Sequence, residues 1–441
     1  MAAHRSTHRS TLAFFPEVTA AISTTDWAAD GTAIDHLAVE INPKEALVVD
    51  PTLETRIQSN GKRRRIRGIR NNDATVRIKF HGTGATTATD SQVAETYLSQ
   101  ILGWCMGGVH RSYTRAVVSS ANAYTLTVGV GKTTGFIPGC LVAVEDTTSP
   151  NAQNAGKLHF ARVASVNAGT DTIVLTEALP FTPTSGDVIH GTITLYIDET
   201  VLEDAIRNGT VNTWSWYHKR AGASGTDEIW QLEGCVATPS FANFARGQLP
   251  EISLAIMAAN FKTGGADSLT NVSFSTVEGK PQLSMGKDVR CSIASTAATT
   301  RVGQDINAFA IEPGFSRVRV ETATEEVERF EAMSTYSMAP GECKITTTLV
   351  PYTDDWYAAI SAETDFRIMF YQPGPGGSTG AGAGKSWAIC MPKAQIAATP
   401  SRADVNEVNG VQVEFAAMEP DDTSGGANEE LEKSLFLIGL A

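Results

Sequence analysis

A short phrase, Ala-Thr-Pro-Ser, occurs twice, at Ala237–Ser240 and at Ala398–Ser401, and similar segments surround it each time. Trp230 precedes the first and Trp387 the second. Pro250-Glu-Ile-Ser-Leu-Ala-Ile-Met-Ala-Ala259 follows the first, and Asn409-Gly-Val-Gln-Val-Glu-Phe-Ala-Ala-Met418 follows the second. Both following segments alternate apolar with polar, the period of a half-buried strand. Thr238 and Thr399 are 161 positions apart, whereas the final strands pair Ile252 with Val411, Leu254 with Val413 and Ile256 with Phe415 at 159. Upstream, the order of long hairpin, alternating strand and capped helix also recurs, pairing Ile78 with Ile345 at 267. A chain built this way is expected to fold as two versions of one unit.

The fall in offset from 267 to 161 leaves about 106 extra residues in the first copy. From Thr114 to Leu195 they carry a β pattern of their own: Tyr124–Val128, Leu141–Val144, Phe160–Val166, Thr172–Leu175 and Val188-Ile189, separated by Pro138-Gly139, Asn167-Ala-Gly169 and Ser185-Gly-Asp187. This predicts a small barrel or sandwich hung from a loop and projecting outward. Two helices are expected. One is capped by Asp90, with Val93, Ala94, Tyr97, Leu98, Ile101 and Leu102 as its stripe; the other is capped by Thr353, with Tyr352 as a staple and Trp356, Ala359 and Ile360 facing inward. Other strands are read at Thr75–Phe80, Phe366–Phe370 and Val411–Phe415, with a hairpin tip at Asn60-Gly61.

The fold class is therefore mainly β. The expected layout is an N-terminal arm (1–45), a discontinuous first domain (46–113 and 196–262), an inserted β domain (114–195), a linker (263–284), a second domain (285–420) and a C-terminal tail (421–441). That tail ends in Leu431, Leu435, Phe436, Ile438 and Leu440, a set better suited to a neighbour than to standing alone. Glycine-rich spacers at Thr263–Ala266 and Gly374–Gly384 read as a join and a hairpin tip.

Charge and chemistry narrow the function. Net charge is −13 in 441 residues, which argues against a DNA-wrapping surface. No run of about 18 apolar residues occurs, and the polar, basic Met1–Ala13 is unlike a secretory leader. The six cysteines lie 35 or more apart, which predicts reduced, buried thiols and no metal knuckle. Gly380-Ala-Gly-Ala-Gly-Lys-Ser386 has Thr379 where a phosphate loop needs glycine, and Val130-Gly-Lys-Thr133 has Leu126 there. Gly376-Gly-Ser-Thr-Gly380 has the spacing of a nucleophile elbow, but no histidine follows His218. His4 and His8 lie in the arm; Asp354-Asp355 and Asp421-Asp422 read as a helix start and a solvated linker. No catalytic residue, metal site or cofactor is expected.

Lys62, Arg63, Arg64, Arg65 and Arg67 make the strongest basic run, with Arg70 beyond it. The corresponding hairpin of the second copy carries Glu321, Glu325, Glu326, Glu328 and Glu331. A solvated face explains either run, and a localisation or nucleic-acid signal explains the basic one. The repeat adds a third reading, in which opposite charges meet at contacts between copies and fix register.

A hairpin, alternating strands, one helix and a last strand like Asn409–Ala417 together resemble the tail tube fold of long-tailed bacteriophages. The resemblance covers both halves, roughly 270 residues, and rests on element order and duplication. It implies two tandem tail-tube-like β-sandwich domains, each with a flanking helix. It further implies homotrimeric pseudo-sixfold rings stacked into a DNA-conducting tube. Implied partners are further copies, the tape measure protein and double-stranded DNA in the lumen, and the tail terminator and distal tail proteins. The implied location is the virion tail, with assembly in host cytoplasm. Two other readings fit the same residues: a distal tail or baseplate hub that caps the tube, and a carbohydrate-binding surface β module with Tyr124 and Tyr196 as stacking residues. Reversing the charge of Arg63, Arg64 and Arg65 is expected to block assembly and leave the monomer folded; unimpaired tubes would rule out the charge-matching reading.

Overall fold

A computed structural model describes residues 10–17, 32–34, 37–49, 65–82, 90–147, 157–202, 213–220, 228–245, 248–258, 260–263, 289–319, 336–350, 355–373, 386–405, 407–420 and 428–441. The fold is mainly β. In the first half, β1 (Ser10–Pro16), β2 (Thr32–Ile34), β3 (Ala38–Val49), β4 (Arg65–Lys79), β13 (Trp214–Arg220), β14 (Glu228–Ala242) and β15 (Glu251–Ala258) pair in the order β2-β1-β13-β14-β15-β4-β3. A further strand, β16 (Asn260–Thr263), pairs with β14 as well. In the second half, β17 (Arg290–Ser295), β18 (Gly303–Gln304), β19 (Ile306–Glu312), β22 (Lys344–Leu349), β23 (Phe366–Gln372), β24 (Trp387–Ile396) and β26 (Val408–Ala417) pair as β18-β17-β23-β24-β26-β22-β19. The two paths match step for step. Helix α1 (Tyr97–Met106) follows β4, and helix α2 (Asp355–Ser361) follows β22, at the same point of each path.

Pairing registers correct the alignment of the halves. Ile252 lies opposite Ile78, but Val411 lies opposite Leu349, not Ile345. The sequence pairing of Ile78 with Ile345 is thus four residues out. A slip by an even number keeps every side chain on its face, so alternation alone does not expose it. The segment read as an N-terminal arm supplies β1, β2 and the start of β3. Their inward residues Leu12, Phe14 and Ile34 are buried, and Phe14 stacks on Trp214 at 4.8 Å.

Thr96, not Asp90, caps α1: its hydroxyl accepts from the Ser99 backbone N–H, and the Ser99 side chain answers the Thr96 N–H. Asp90 instead has a positive φ of 66° and binds Arg115 and Lys132. In α2 Trp356 is buried, as the pattern predicts, while Ile360 is 37% exposed; Tyr352 and Thr353 lie outside the described residues.

The insert contains a closed barrel, β10-β7-β6-β11-β8-β9, formed by β6 (Arg115–Asn122), β7 (Thr125–Val128), β8 (Leu141–Glu145), β9 (Leu158–Asn167), β10 (Thr172–Leu175) and β11 (Val188–His190). Closure removes the edges that six short strands would otherwise expose. The barrel does not hang free. Leu141, Phe160 and Val163 share one buried cluster with Met369 and Tyr371 of β23 and Cys390 of β24. At this joint the buried Glu177 carboxylate meets Arg301 at 3.1 Å and Arg367 at 3.6 Å. Tyr124 and Tyr196, read as stacking residues, pack against the same cluster.

The C-terminal segment is likewise no loose tail. After helix α3 (Glu429–Lys433), strand β27 (Leu437–Leu440) runs between β12 (Ile193–Ile197) and β24, and β12 also pairs with β5 (Gly107–Arg111) at the neck of the insert. Phe436, Leu437, Ile438 and Leu440 are fully buried within their own chain.

Both halves feed one aromatic core. Trp387 packs against Phe80 at 5.3 Å and Phe244 at 5.6 Å, and its indole N–H donates to Gln372 Oε1 at 2.8 Å. Gly82 lies where a Cβ would fall 2.2 Å from the Ser386 carbonyl oxygen and 2.4 Å from that of Ala441, so only glycine permits this approach.

His159 sits at the barrel joint near Tyr371, at 3.3 Å. Burial, then the nearby Arg290, Arg301 and Lys157, push its pKa from 6.5 down to about 3. A histidine held neutral in the fold but protonated when unfolded contributes stability above pH 6.5, lost progressively as pH falls toward 3. The urea midpoint of the native chain should fall over that window more steeply than that of His159→Gln; parallel curves would show that His159 is not the titrating group.

Candidate assembly surface

In each half a two-stranded ribbon runs past the end of its sheet. On β4 the pairing with β15 stops at Asn72, but the pairing with β3 continues to Val49 opposite Arg65. In the second half β19 and β22 continue as β20 (Phe315–Arg319) and β21 (Tyr336–Pro340), closing with Arg319 opposite Tyr336. Both ribbons slip register where they leave the sheet. The first shifts between Glu45 and Leu47; in the second, Glu312 lies opposite Lys344 but Phe315 opposite Pro340. Such a bulge bends the ribbon and re-aims it.

Gly314 makes the second bend. Its φ is +81°, its carbonyl accepts from the Gly341 N–H at 2.7 Å, and a Cβ there would fall 2.6 Å from the Cys343 backbone nitrogen. No L side chain fits without moving the backbone.

The sheet face opposite the core is open and polar. In the first half Glu40, Thr75, Arg77, Ser240, Ala242 and Ala255 are exposed, alternating with buried Val76, Ile78, Ile252 and Leu254. In the second half Ala310, Glu312 and Gln412 are exposed on the corresponding face. Ion pairs lie there: Arg77 with Glu251 at 3.5 Å, and Lys344 with Glu342 at 2.8 Å and Glu414 at 3.0 Å. Hydrogen bonds that the Lys344 ammonium donates to the Glu342 and Glu414 carboxylates hold its pKa above the ordinary lysine value. Paired lysines and arginines among hydroxyls and methyls give a phosphate backbone little to hold.

Of the basic and acidic runs, two residues are described. Arg65 and Arg67 lie in the backbone of β4, opposite Val49 and Leu47. Lys62, Arg63 and Arg64, the Asn60-Gly61 tip, and Glu321, Glu325, Glu326, Glu328 and Glu331 lie outside the described residues. The closing pairs Val49–Arg65 and Arg319–Tyr336 make Arg65 the counterpart of Tyr336. The basic run therefore enters the returning strand, while the acidic run follows the outgoing one.

The remaining motifs take structural places. Lys132 of the Val130–Thr133 segment pairs with Asp90 at 2.7 Å. Gly376–Gly380, His4, His8, Asp354, Asp421 and Asp422 lie outside the described residues, and Ser386 is buried in backbone pairing with Ala441. All six cysteines are buried and free, and burial raises the Cys105, Cys140, Cys343 and Cys390 thiols to about 12. Among the described residues no group of three His, Cys, Asp or Glu side chains is placed to hold a metal, and no helix is long and apolar enough to cross a membrane. The sequence reading missed Gly314, whose Pro313-Gly314 pair is a legible turn signal, and the Glu177–Arg301–Arg367 joint, which no local pattern signals.

Gly314→Ala should lower stability by about 1–3 kcal/mol, the usual cost of forcing a side chain into this backbone region. Urea denaturation reads this directly, and an unchanged midpoint would mean that Gly314 does not hold the bend. No family model matches the chain, and no curated protein matches it.

Proposed function

We propose that this chain is a structural subunit of a tailed-phage tail tube, with each half one diverged copy of the tube domain. The observation that carries this reading is the repeated strand path with a bulged ribbon leaving each copy at the same point. A tube needs a unit that repeats around a ring, a strand edge that each unit offers to the next, and a wall that does not hold DNA. The outer edges of β3 and β19 supply the strands, and the paired, hydroxyl-rich sheet faces supply the wall. In this reading three chains make a pseudo-sixfold ring, the rings stack around the tape measure protein and later DNA, and the ends meet the tail terminator and distal tail proteins. The barrel, packed on the second half, faces outward. No step of the reading calls on a catalytic group or a cofactor.

Negative-stain microscopy of the purified chain is the test. Long hollow tubes are expected. Discrete rings that never stack would favour the distal hub, and a glycan-binding monomer would sink both.

A further inference from the structure

The two halves meet within the chain through a specific strand contact. Ala245, just past β14, bridges antiparallel to Ala308 of β19, and the Phe309 N–H donates to the Phe244 carbonyl at 2.9 Å. The Phe244 and Phe309 rings pack at 4.7 Å, and both residues are buried. Further along, the Arg317 N–H donates to Thr238 Oγ1 at 2.9 Å. The end of β14 in one half thus docks on the outer edge of the ribbon of the other.

The registers locate the counterpart of each partner. Val39 lies opposite Val76, which lies opposite Leu254; Phe309 lies opposite Thr347, which lies opposite Val413. Leu254 corresponds to Val413, so Phe309 corresponds to Val39. Ser240 lies opposite Ser253, and Ser401 of β25 (Ser401–Val405) lies opposite Gln412, the counterpart of Ser253. Four residues on, Phe244 corresponds to Val405. By the same register Thr238 corresponds to Thr399.

These counterparts do not meet as the originals do. Val405 and Val39 are each half-buried, and Thr399 is exposed. Beside them stand two of the exposed large apolar residues, Val408 at 47% and Leu37 at 37%. One copy of the joint is closed; the other presents its two sides separately, on opposite halves of one chain.

We propose that a second copy of this chain completes the open joint, with Val405 at the end of β25 in one subunit bridging Val39 on the β3 edge of the next. The contact is head-to-tail, so it repeats until a ring closes. Valine in place of phenylalanine gives a smaller buried contact than the internal joint. That suits a contact formed between separate subunits after each has folded. The inference rests on the tube reading for its setting but uses only the internal joint for its geometry.

Directly opposed residues of an antiparallel bridge bring Cα atoms within disulfide reach. The full-length double variant Val39→Cys, Val405→Cys should therefore give covalent multimers under mild oxidation on a non-reducing gel. Neither single variant should do so, nor the parent chain, whose cysteines are buried. Val408→Asp, at the exposed start of β26, should weaken association at least roughly tenfold, equivalent to about 1.4 kcal/mol, without lowering the melting temperature. Tubes that form without cross-links would overturn this joint and leave the tube reading standing. Cross-linked rings that never stack would keep the joint and overturn the tube. A chain that neither cross-links nor associates would overturn both.

Discussion

Burial of Trp387 between the two sheets is the contact on which the architecture depends. The indole lies in β24, with Gln372 of β23 on one side and Leu440 of β27 on the other, and it meets Phe80 and Phe244 of the first half. Each such ring stabilises the fold by roughly 1.5–3 kcal/mol through area alone, and each aromatic pair adds about 0.5–1.5 kcal/mol. Phe309 stacks on Phe370 at 4.1 Å, and Phe241 meets Phe436 at 5.8 Å, extending the same core. A linker alone would let two similar domains move independently. Here their relative position is fixed by packing, and the joint proposed between chains requires that rigidity.

The barrel is fixed by different physics. Leu141 and Phe160 supply apolar area, but Glu177, Arg301 and Arg367 are charges taken out of water. A buried ion pair of this kind is weak as a net source of stability, because desolvation offsets its attraction; its removal by halves is costly because a charge is left alone. Its contribution is therefore to orientation: the barrel seats in one way, with Glu177 between two guanidinium groups carried by the second half. The neutral His159 beside them follows first from burial and then from the same crowding of positive charge.

Local pattern exposed the repeat because Ala-Thr-Pro-Ser and the final strands lie within a few residues of each other in both halves. The barrel strands were legible for the same reason, each being a short apolar run bounded by turn residues. Long-range pairing was not. Nothing in Ser10–Pro16 says that it pairs with Trp214–Arg220, and nothing in Leu437–Leu440 says that its partners are β12 and β24. The apolar end of the chain was read as a surface for a neighbour because sequence shows apolarity but not what covers it. Asp90 and Thr96 both suit a helix cap; Thr96 takes the role, while Asp90, with its positive φ, is tied to Arg115 and Lys132. The charge runs were legible as composition; of their residues the register places Arg65 and Arg67, on β4 opposite Val49 and Leu47.

The halves differ most where the insert and the C-terminal strand come together. In the first half β16 extends β15 along β14, pairing Asn260 with Glu233. In the second half β26 leaves β24 at Ala394, and the vacated edge from Trp387 to Cys390 is taken by β27. The other edge of β27 carries β12, the exit strand of the insert. Insert and C-terminal strand are thus one device, anchoring the barrel to the second half although the barrel is spliced into the first. A duplicated chain whose halves stayed equivalent would let either half take either place in a ring. With β12 and β27 added along one edge of β24 and the barrel packed on β23 and β24, the two halves are no longer interchangeable, and in the proposed ring their order would be fixed within each chain.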